Sequence, residues 1–552
     1  MYRYDQYDHQ MLADRVAQFR GQTQRFLDGK LSDAEFLPLR LQNGLYIQRL
    51  APMLRIAIPY GLLSSRQMRK LAFIANYYDK GYGHLTTRQN IQFNWPEMEE
   101  VPDILAHLAE VEMHAIQTSG NCIRNTTTDQ FAGCAADEIE DSRPYCEIIR
   151  QWSTFHPEFA YLPRKFKIAV CGTRVDQAAT QVHDIGVYIL RNESGETGFR
   201  ILAGGGLGRT PVIGHVMTEF VEKKHLLTFL EAIMRVYNRD GRRDNKYKAR
   251  IKITVKEMGP EVFRQRVHEE WERIKDGPMT LTDEEIERCK GFFTSPDYRE
   301  LADSCAELDQ ALATDVLFAG WYHQNVRPHR QPGYAIVTLS VKETGTAPGD
   351  LSADQMYFIA DLADQFSFGE LRVSHNQNII FSDVEKGRLH ELWEALRSQS
   401  LATPNLGLLT DVICCPGGDF CALANAKSIP IAEAIQRRFN DPAELKDIGE
   451  LAINISGCMN ACGHHHVGNI GILGVDKKGE EFYQVSLGGS ALNEASLATI
   501  IGPSFAQKDI PEVIARIIEV YRELREPGEP FLATFNRVGM TPFKDRVYAK
   551  AD

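Results

Sequence analysis

The chain repeats its pattern of apolar and polar positions. Helical spacing of apolar residues in RQMRKLAFIANYYDKG (Arg66–Gly81) gives way to the short apolar run LTTRQNIQF (Leu85–Phe93). A second helical stretch follows, PDILAHLAEVEM (Pro102–Met113). The same order returns 288 residues later as ADQMYFIADLADQF (Ala353–Phe366), VSHNQNIIF (Val373–Phe381) and GRLHELWEALRS (Gly387–Ser398). Each copy predicts a ferredoxin-like α/β unit. Further along, KIAVCG…DIGVYIL from Lys167 pairs with AINISGC…NIGILGV from Ala452, with Gly186 opposite Gly471, an offset of 285. ILAGGGLG around Gly204 pairs with VSLGGSA around Gly488, an offset of 284, and each precedes a long amphipathic helix. The pattern predicts an α+β fold with pseudo-twofold duplication: two ferredoxin-like units and two larger α/β domains.

The expected divisions are a polar, partly helical leader (1–44), a first ferredoxin-like half-domain (45–117) and a first larger domain (118–275). A charged, irregular linker (276–329), a second half-domain (330–405) and a second larger domain (406–552) complete the chain. Ligands of duplicated scaffolds often sit between the halves, where side chains converge. At 552 residues, with 43% hydrophobic and 25% charged residues, the composition is that of a globular protein. A net charge of −12 argues against nucleic acid as a partner, although an acidic protein can hold a basic pocket. The polar start MYRYDQYDHQMLADRVAQF lacks a signal h-region, and no run approaches the roughly 18 apolar residues of a membrane span. The expectation is a cytoplasmic protein without membrane contact, its eleven cysteines serving as thiols and metal ligands.

Four of those cysteines are grouped. Cys415 and Cys421 lie in DVICCPGGDFCALANAK, a Pro-Gly-Gly turn leading into an Ala-rich helix, and Cys458 and Cys462 lie in NISGCMNACGHHH after a strand. Two thiolate pairs on two loops suit a [4Fe–4S] cube, one sulfur per corner iron. A structural zinc site is the alternative, but zinc ribbons prefer C-x2-C or C-x4-C knuckles to C-x5-C with C-x3-C. Cys414 rivals Cys415, which gives the five-residue spacing. Cys122, Cys134, Cys146, Cys171, Cys289 and Cys305 show no paired spacing and read as ordinary thiols.

A basic group lies in the half without the paired cysteines: Arg55, Arg124, Lys165 and Lys167. The two lysines alternate by two, so on a strand both face one side. Arg124 is 291 residues before Cys415, which sets it near the pseudo-twofold partner of the cysteine loop. Such cations flanked by apolar strands suggest an oxyanion pocket. A third group, Arg88, Gln92 and Asn94 with Asn376, Asn378 and Arg250, could hold a large acidic prosthetic group. Gly204, Gly205, Gly206 and Gly208 would permit close approach to it, and they lack the spacing of a dinucleotide fold. His464, His465 and His466 are consecutive and cannot all face one ion.

Together the Cys415/Cys421 and Cys458/Cys462 pairs, the duplication, TTRQNIQF and LPRKFK resemble the sulfite and nitrite reductase hemoproteins over about residues 45–545. The resemblance implies that the four cysteines hold a [4Fe–4S] cluster and that Cys462 also bridges to the iron of siroheme. It implies that Arg55, Arg124, Lys165 and Lys167 bind the substrate anion and supply protons. By the same resemblance Arg88, Gln92, Asn94, Arg164, Arg250 and Asn460 contact siroheme, Asn94 standing where some relatives carry His. Sulfite-reducing relatives tend to carry Lys at the second Lys-x-Lys position and plant-type nitrite reductases Asn, so Lys167 points to an assimilatory sulfite reductase. A more highly charged pocket also favours dianionic sulfite over nitrite. Siroheme nitrite reductase is the alternative. Without a flavin or nicotinamide domain, the chain is expected to take electrons from a flavoprotein subunit or a ferredoxin.

Overall fold

The computed structural model describes residues 1–549 and shows a mixed α+β fold built on four sheets. The leader forms two helices, Gln6–Leu27 and Asp33–Gln42. Asp5 and Ser32 start them with capping boxes, closed by Asp8 and Glu35. Phe19 and Phe36 reach fully into the first core, so the leader belongs to the body.

Both ferredoxin-like sheets are antiparallel, and each borrows a strand from the other half. Strands Leu45–Ile47, Pro52–Ile56, Ile91–Phe93 and Tyr82–Leu85 are completed by Asp350–Ser352. Strands Val326–Pro328, Tyr334–Leu339, Ile379–Glu385 and Glu370–Val373 are completed by Leu62–Ser64. Each exchanged strand has three residues and ends in a serine that caps the next helix. Ser64 caps Ser65–Tyr78 through Gln67, and Ser352 caps Ala353–Phe366 through Gln355. These two helices pack on each other, with Arg69 bridging Asp361 and Asp364 at 2.6 Å. One core runs through both units, joining Leu63, Leu71 and Ile74 to Leu351, Met356 and Ile359.

The larger domains repeat a second pattern. In the first, Thr127–Thr128, Ile168–Cys171 and Ile185–Arg191 run parallel before Thr197–Ala203 turns antiparallel. In the second, Ile413–Cys414, Ile453–Ser456 and Ile470–Lys477 run parallel before Glu480–Leu487. Helices Leu226–Asp240 and Ile510–Leu524 pack into the cores of these domains. The register fixes the pseudo-symmetry: Thr128, Val170 and Val187 form one rung, and Cys414, Ile455 and Ile472 the matching one.

Three sequence expectations change. Asp129, not Arg124, stands opposite Cys415, because loops of unequal length distort a count that the paired strands fix at 286. The segment 276–329 is not irregular: it forms helices Asp283–Lys290, Ala306–Thr314 and Val316–Asn325. No helix follows Cys421 directly. Residues 421–428 are turns, held by the amides of Asn425 and Ala426 donating to the Gly457 carbonyl at 2.8 and 3.1 Å, and the helix begins at Ile429. Among the described residues no helix is long and apolar enough to cross a membrane.

Candidate active site

The cysteine loops lie at the ends of adjacent parallel strands. Cys415 follows Ile413–Cys414, and its amide donates to Ile455 at 3.2 Å. Cys458 and Cys462 occupy the turn after Ile453–Ser456. This turn is forced: a Cβ on Gly463 would overlap the Ile455 carbonyl oxygen, and Ala461 and His464 have left-handed backbone. Cys415 Sγ accepts the Gly457 amide at 3.2 Å, and Cys458 Sγ accepts Asn460 Nδ2 at 3.5 Å. Cys414 Sγ instead donates to the Cys415 carbonyl at 3.2 Å, which separates the two neighbours chemically. Burial pushes the Cys415 thiol up to about 12, with the nearby Cys462 adding to the rise. Burial also raises Cys421 and Cys458, each again close to Cys462. Thiols gathered this way resist ionisation until iron compensates their charge. Among the described residues no three His, Cys, Asp or Glu side chains close tightly enough for a single metal ion.

Cys462 is exposed and faces cations from the first half. Lys165 and Lys167 precede the strand Ile168–Cys171, and a bridge between Ile123 and Phe166 extends that ladder. Burial lowers Lys165 to about 8, partly offset by Cys462 and reinforced by Arg124 and Arg250. Lys167 is driven well below its ordinary value by burial and then by Lys165 and Arg88. Arg55, on Pro52–Ile56, donates from Nη2 to Gln92 Oε1 at 3.0 Å, while its Nε is buried without a partner. Arg124 spends its guanidinium on its own loop, donating to the Thr118 carbonyl at 2.7 Å and to Gly120 at 2.7 and 3.1 Å. Tyr46 was invisible as a site residue in sequence. Its ring lies 5.4 Å from the Arg55 guanidinium, and Arg124, Arg55 and Lys165 together lower its phenol despite the opposing effect of burial.

The third group divides. Arg88 is locked to Thr127 Oγ1 and the Asn125 carbonyl, both at 2.7 Å, and burial lowers it to about 9. Gln92 Nε2 donates to Asn94 Oδ1 at 3.3 Å, and both are buried. Arg250 caps the helix Ile251–Met258 and holds the buried Asp184 at 2.7 Å. Arg164 is half-buried among cations, lowered first by burial and then by Arg250 and Arg124. Asn460 is exposed beside Cys458. Asn378 is an internal brace, donating to Asp411 at 3.1 Å and accepting the Val341 amide. The glycine run is clamped from two sides. Lys252 Nζ donates to the Leu207 and Thr210 carbonyls at 2.7 and 2.5 Å, and His466 Nε2 meets the Gly208 carbonyl at 2.9 Å. Lys252 gave no sequence signal, since one lysine within KARIKI looks like a solvated charge. Thr87 was missed for the same reason; its hydroxyl donates to the Cys462 carbonyl at 2.8 Å.

The sequence pattern of the nitrite and sulphite reductase 4Fe-4S domain matches residues 119–275 and 408–552. That of the nitrite/sulfite reductase ferredoxin-like half domain matches 48–111 and 327–399. The chain belongs to the nitrite and sulfite reductase family. It is similar to the assimilatory ferredoxin-dependent nitrite reductase of Haloferax mediterranei, 29% identical over 87% of this chain and 80% of that one. It also resembles the chloroplastic ferredoxin–nitrite reductase of Arabidopsis thaliana, 27% identical over 89% and 80%. The fold is that of the Mycobacterium tuberculosis NirA protein, with a TM-score of 0.76, 22% identity, and 93% and 92% of the two chains covered.

As a member of this family the chain is an oxidoreductase that uses siroheme and a [4Fe–4S] cluster. Its own residues fit both groups. The four thiols share one locality without converging on a point, and the face opposite Cys462 carries unbalanced cations suited to a many-carboxylate macrocycle. The expectation of sulfite reduction is overturned, because the relatives found are named as nitrite reductases. The charge argument behind it also weakens. Four basic residues do not make four equivalent free cations: Arg124 commits three N–H donors to carbonyls of its own loop, and both lysines lose proton affinity through desolvation.

Proposed function

We propose that this protein is a siroheme-dependent nitrite reductase that converts nitrite to ammonium with electrons from a ferredoxin. The carrying observation is the pair Lys165 and Lys167, half-buried among other cations and facing Cys462. A weakly solvated cationic face binds a monoanion strongly without an excess of fixed charge. The similarity to ferredoxin-dependent nitrite reductases supports the choice of substrate and donor.

In this reading Cys415, Cys421, Cys458 and Cys462 would hold the cluster, Cys462 would also help to hold siroheme, and Arg164, Arg250 and Asn460 would meet the macrocycle. Bound there, the two groups would supply electrons one at a time. The protein does the rest. Lys165 and Lys167 orient the anion and, with proton affinities lowered by burial, release protons readily toward oxygens that leave as water. Arg55 presents its unpartnered Nε, and Tyr46 offers a hydroxyl whose proton is loosened by three cations. Arg124 acts through the loop it braces. The balance is one nitrite, six electrons and eight protons to one ammonium and two waters.

The test is ammonium formation from nitrite by the cofactor-loaded protein with photoreduced ferredoxin. Stoichiometric ammonium supports the proposal; nitrite left unconsumed under those conditions overturns it.

A further inference from the structure

Gln89 and Gln377 occupy matching places in the repeat, and both have left-handed backbone, with φ of 57° and 59°. A residue with a side chain keeps that conformation where its surroundings over-determine it. Here the carboxamides do so. Gln89 Nε2 donates to the Val373 carbonyl of the other half at 3.1 Å, and its Oε1 accepts the Thr128 amide at 3.0 Å. Gln377 Nε2 donates to the Leu85 carbonyl of the other half at 2.8 Å, and its Oε1 accepts the Cys414 amide at 2.9 Å. A glycine with positive φ roofs each one. A Cβ on Gly61 would lie 2.8 Å from the Gln89 amide nitrogen, and one on Gly349 would lie 2.9 Å from that of Gln377.

The two clamps differ in what they grip. Gln377 holds Cys414 twice, since Nε2 also donates to the Cys414 carbonyl at 2.9 Å. Its amide nitrogen lies 3.1 Å from His84 Nε2, and His84 Nδ1 lies 2.6 Å from Asp350. The two N–H bonds of the carboxamide go to the Leu85 and Cys414 carbonyls and its oxygen takes the Cys414 amide, which fixes which way the carboxamide points. Cys414 directly precedes Cys415, so this grip sets where the Cys415 thiol is aimed.

We propose that Gln377 is a positioning residue for the iron–sulfur cluster, holding the Cys415 loop in place from across the boundary between the halves. The proposal rests on the cluster and not on nitrite as substrate, so its test reads the cluster alone. In loaded protein, Gln377→Met keeps the side-chain shape and removes the polar grip. Iron transfer to a chelator should then run about tenfold faster than in the parent, as for other partners of metal ligands, with an altered electron paramagnetic resonance spectrum of the reduced cluster. Gln89→Met removes the twin clamp and should leave iron release within about twofold of the parent, below the range typical of partners of metal ligands. Gln377→Glu still accepts from the Cys414 amide but cannot donate, and should fall between parent and Gln377→Met. Unchanged iron release and spectrum in Gln377→Met would overturn the proposal. Equal effects of the Gln89 and Gln377 variants would also overturn it, by showing only a loosened interface. Should Gln377→Met fail to fold, Gln377→Glu against Gln89→Glu gives the same decision, supported by faster release in the first and overturned by equality.

Discussion

The two larger domains place different chemistry on one backbone. The second has Cys415 and Cys458 where the first has Asp129 and Thr173, and in the first domain the Thr173 hydroxyl donates to the Asp129 carboxylate. Cys462 corresponds to Gln177, just before a turn that both halves make with a left-handed residue, Ala179 or His464. A side-chain hydrogen bond thus closes in one half what, on the proposed function, iron and sulfur would close in the other. Asp184 accepts the Lys167 amide as its counterpart Asn469 accepts that of Ala452, yet only Asp184 carries a charge, and Arg250 answers it. The scaffold occurs twice, and on the proposed function one copy would hold metal and the other anions.

The largest effect should come from removing the element that links these roles. Cys462→Ser should abolish nitrite reduction, beyond the roughly 100-fold that bounds changes to outer partners of metal ligands. Nitrite consumption with a reduced viologen, read beside the siroheme absorption spectrum, checks this. On the anion side, Lys165→Met should lower kcat/KM for nitrite by about 100-fold while leaving iron and sulfide content intact, the scale for losing one electrostatic donor. Equal loss of cluster would erase the division of labour between the halves.

A third expectation probes the pair that replaces cysteine. Burial raises the Asp129 carboxyl to about 6 from an ordinary 3.8. A raised acid binds its proton more tightly in the fold, so stability is greater at low pH and declines as pH rises from about 4 to 6. Asp129→Asn should therefore be more stable than the parent at neutral pH by up to about 3 kcal/mol, with the gain disappearing near pH 4. Thermal unfolding midpoints across that range measure it. The smallest effect is expected from Thr87→Val, which removes the hydroxyl on the Cys462 carbonyl: about 1 kcal/mol of stability, with a small shift of the siroheme absorption.

Sequence carried a good part of this arrangement. The cysteine pairs and the repeat are legible because metal ligands and long periodic elements leave local marks, and Lys165 and Lys167 stand out beside apolar strands. Other features leave none. The exchanged strands Leu62–Ser64 and Asp350–Ser352 are too short to show a period, so their partners are visible only in space. Gln89, Gln377, Thr87 and Lys252 act through backbone carbonyls and amides, which sequence does not display. Arg124 was misplaced because counting residues through loops does not reveal strand register. The substrate was misread because residue type does not tell how many cations remain charged and free once buried.

The strand exchange also orders events in the cell. While the chain is being made, the edge of the first sheet at Tyr82–Leu85 stays open until Asp350–Ser352 has left the ribosome. The first half therefore cannot complete its sheet until well over half of the chain has been made, and an open edge is a hazard for wrong pairing. Cys458 and Cys462 follow about a hundred residues later, so on the proposed function the prosthetic groups would be bound only after most of the chain has been made.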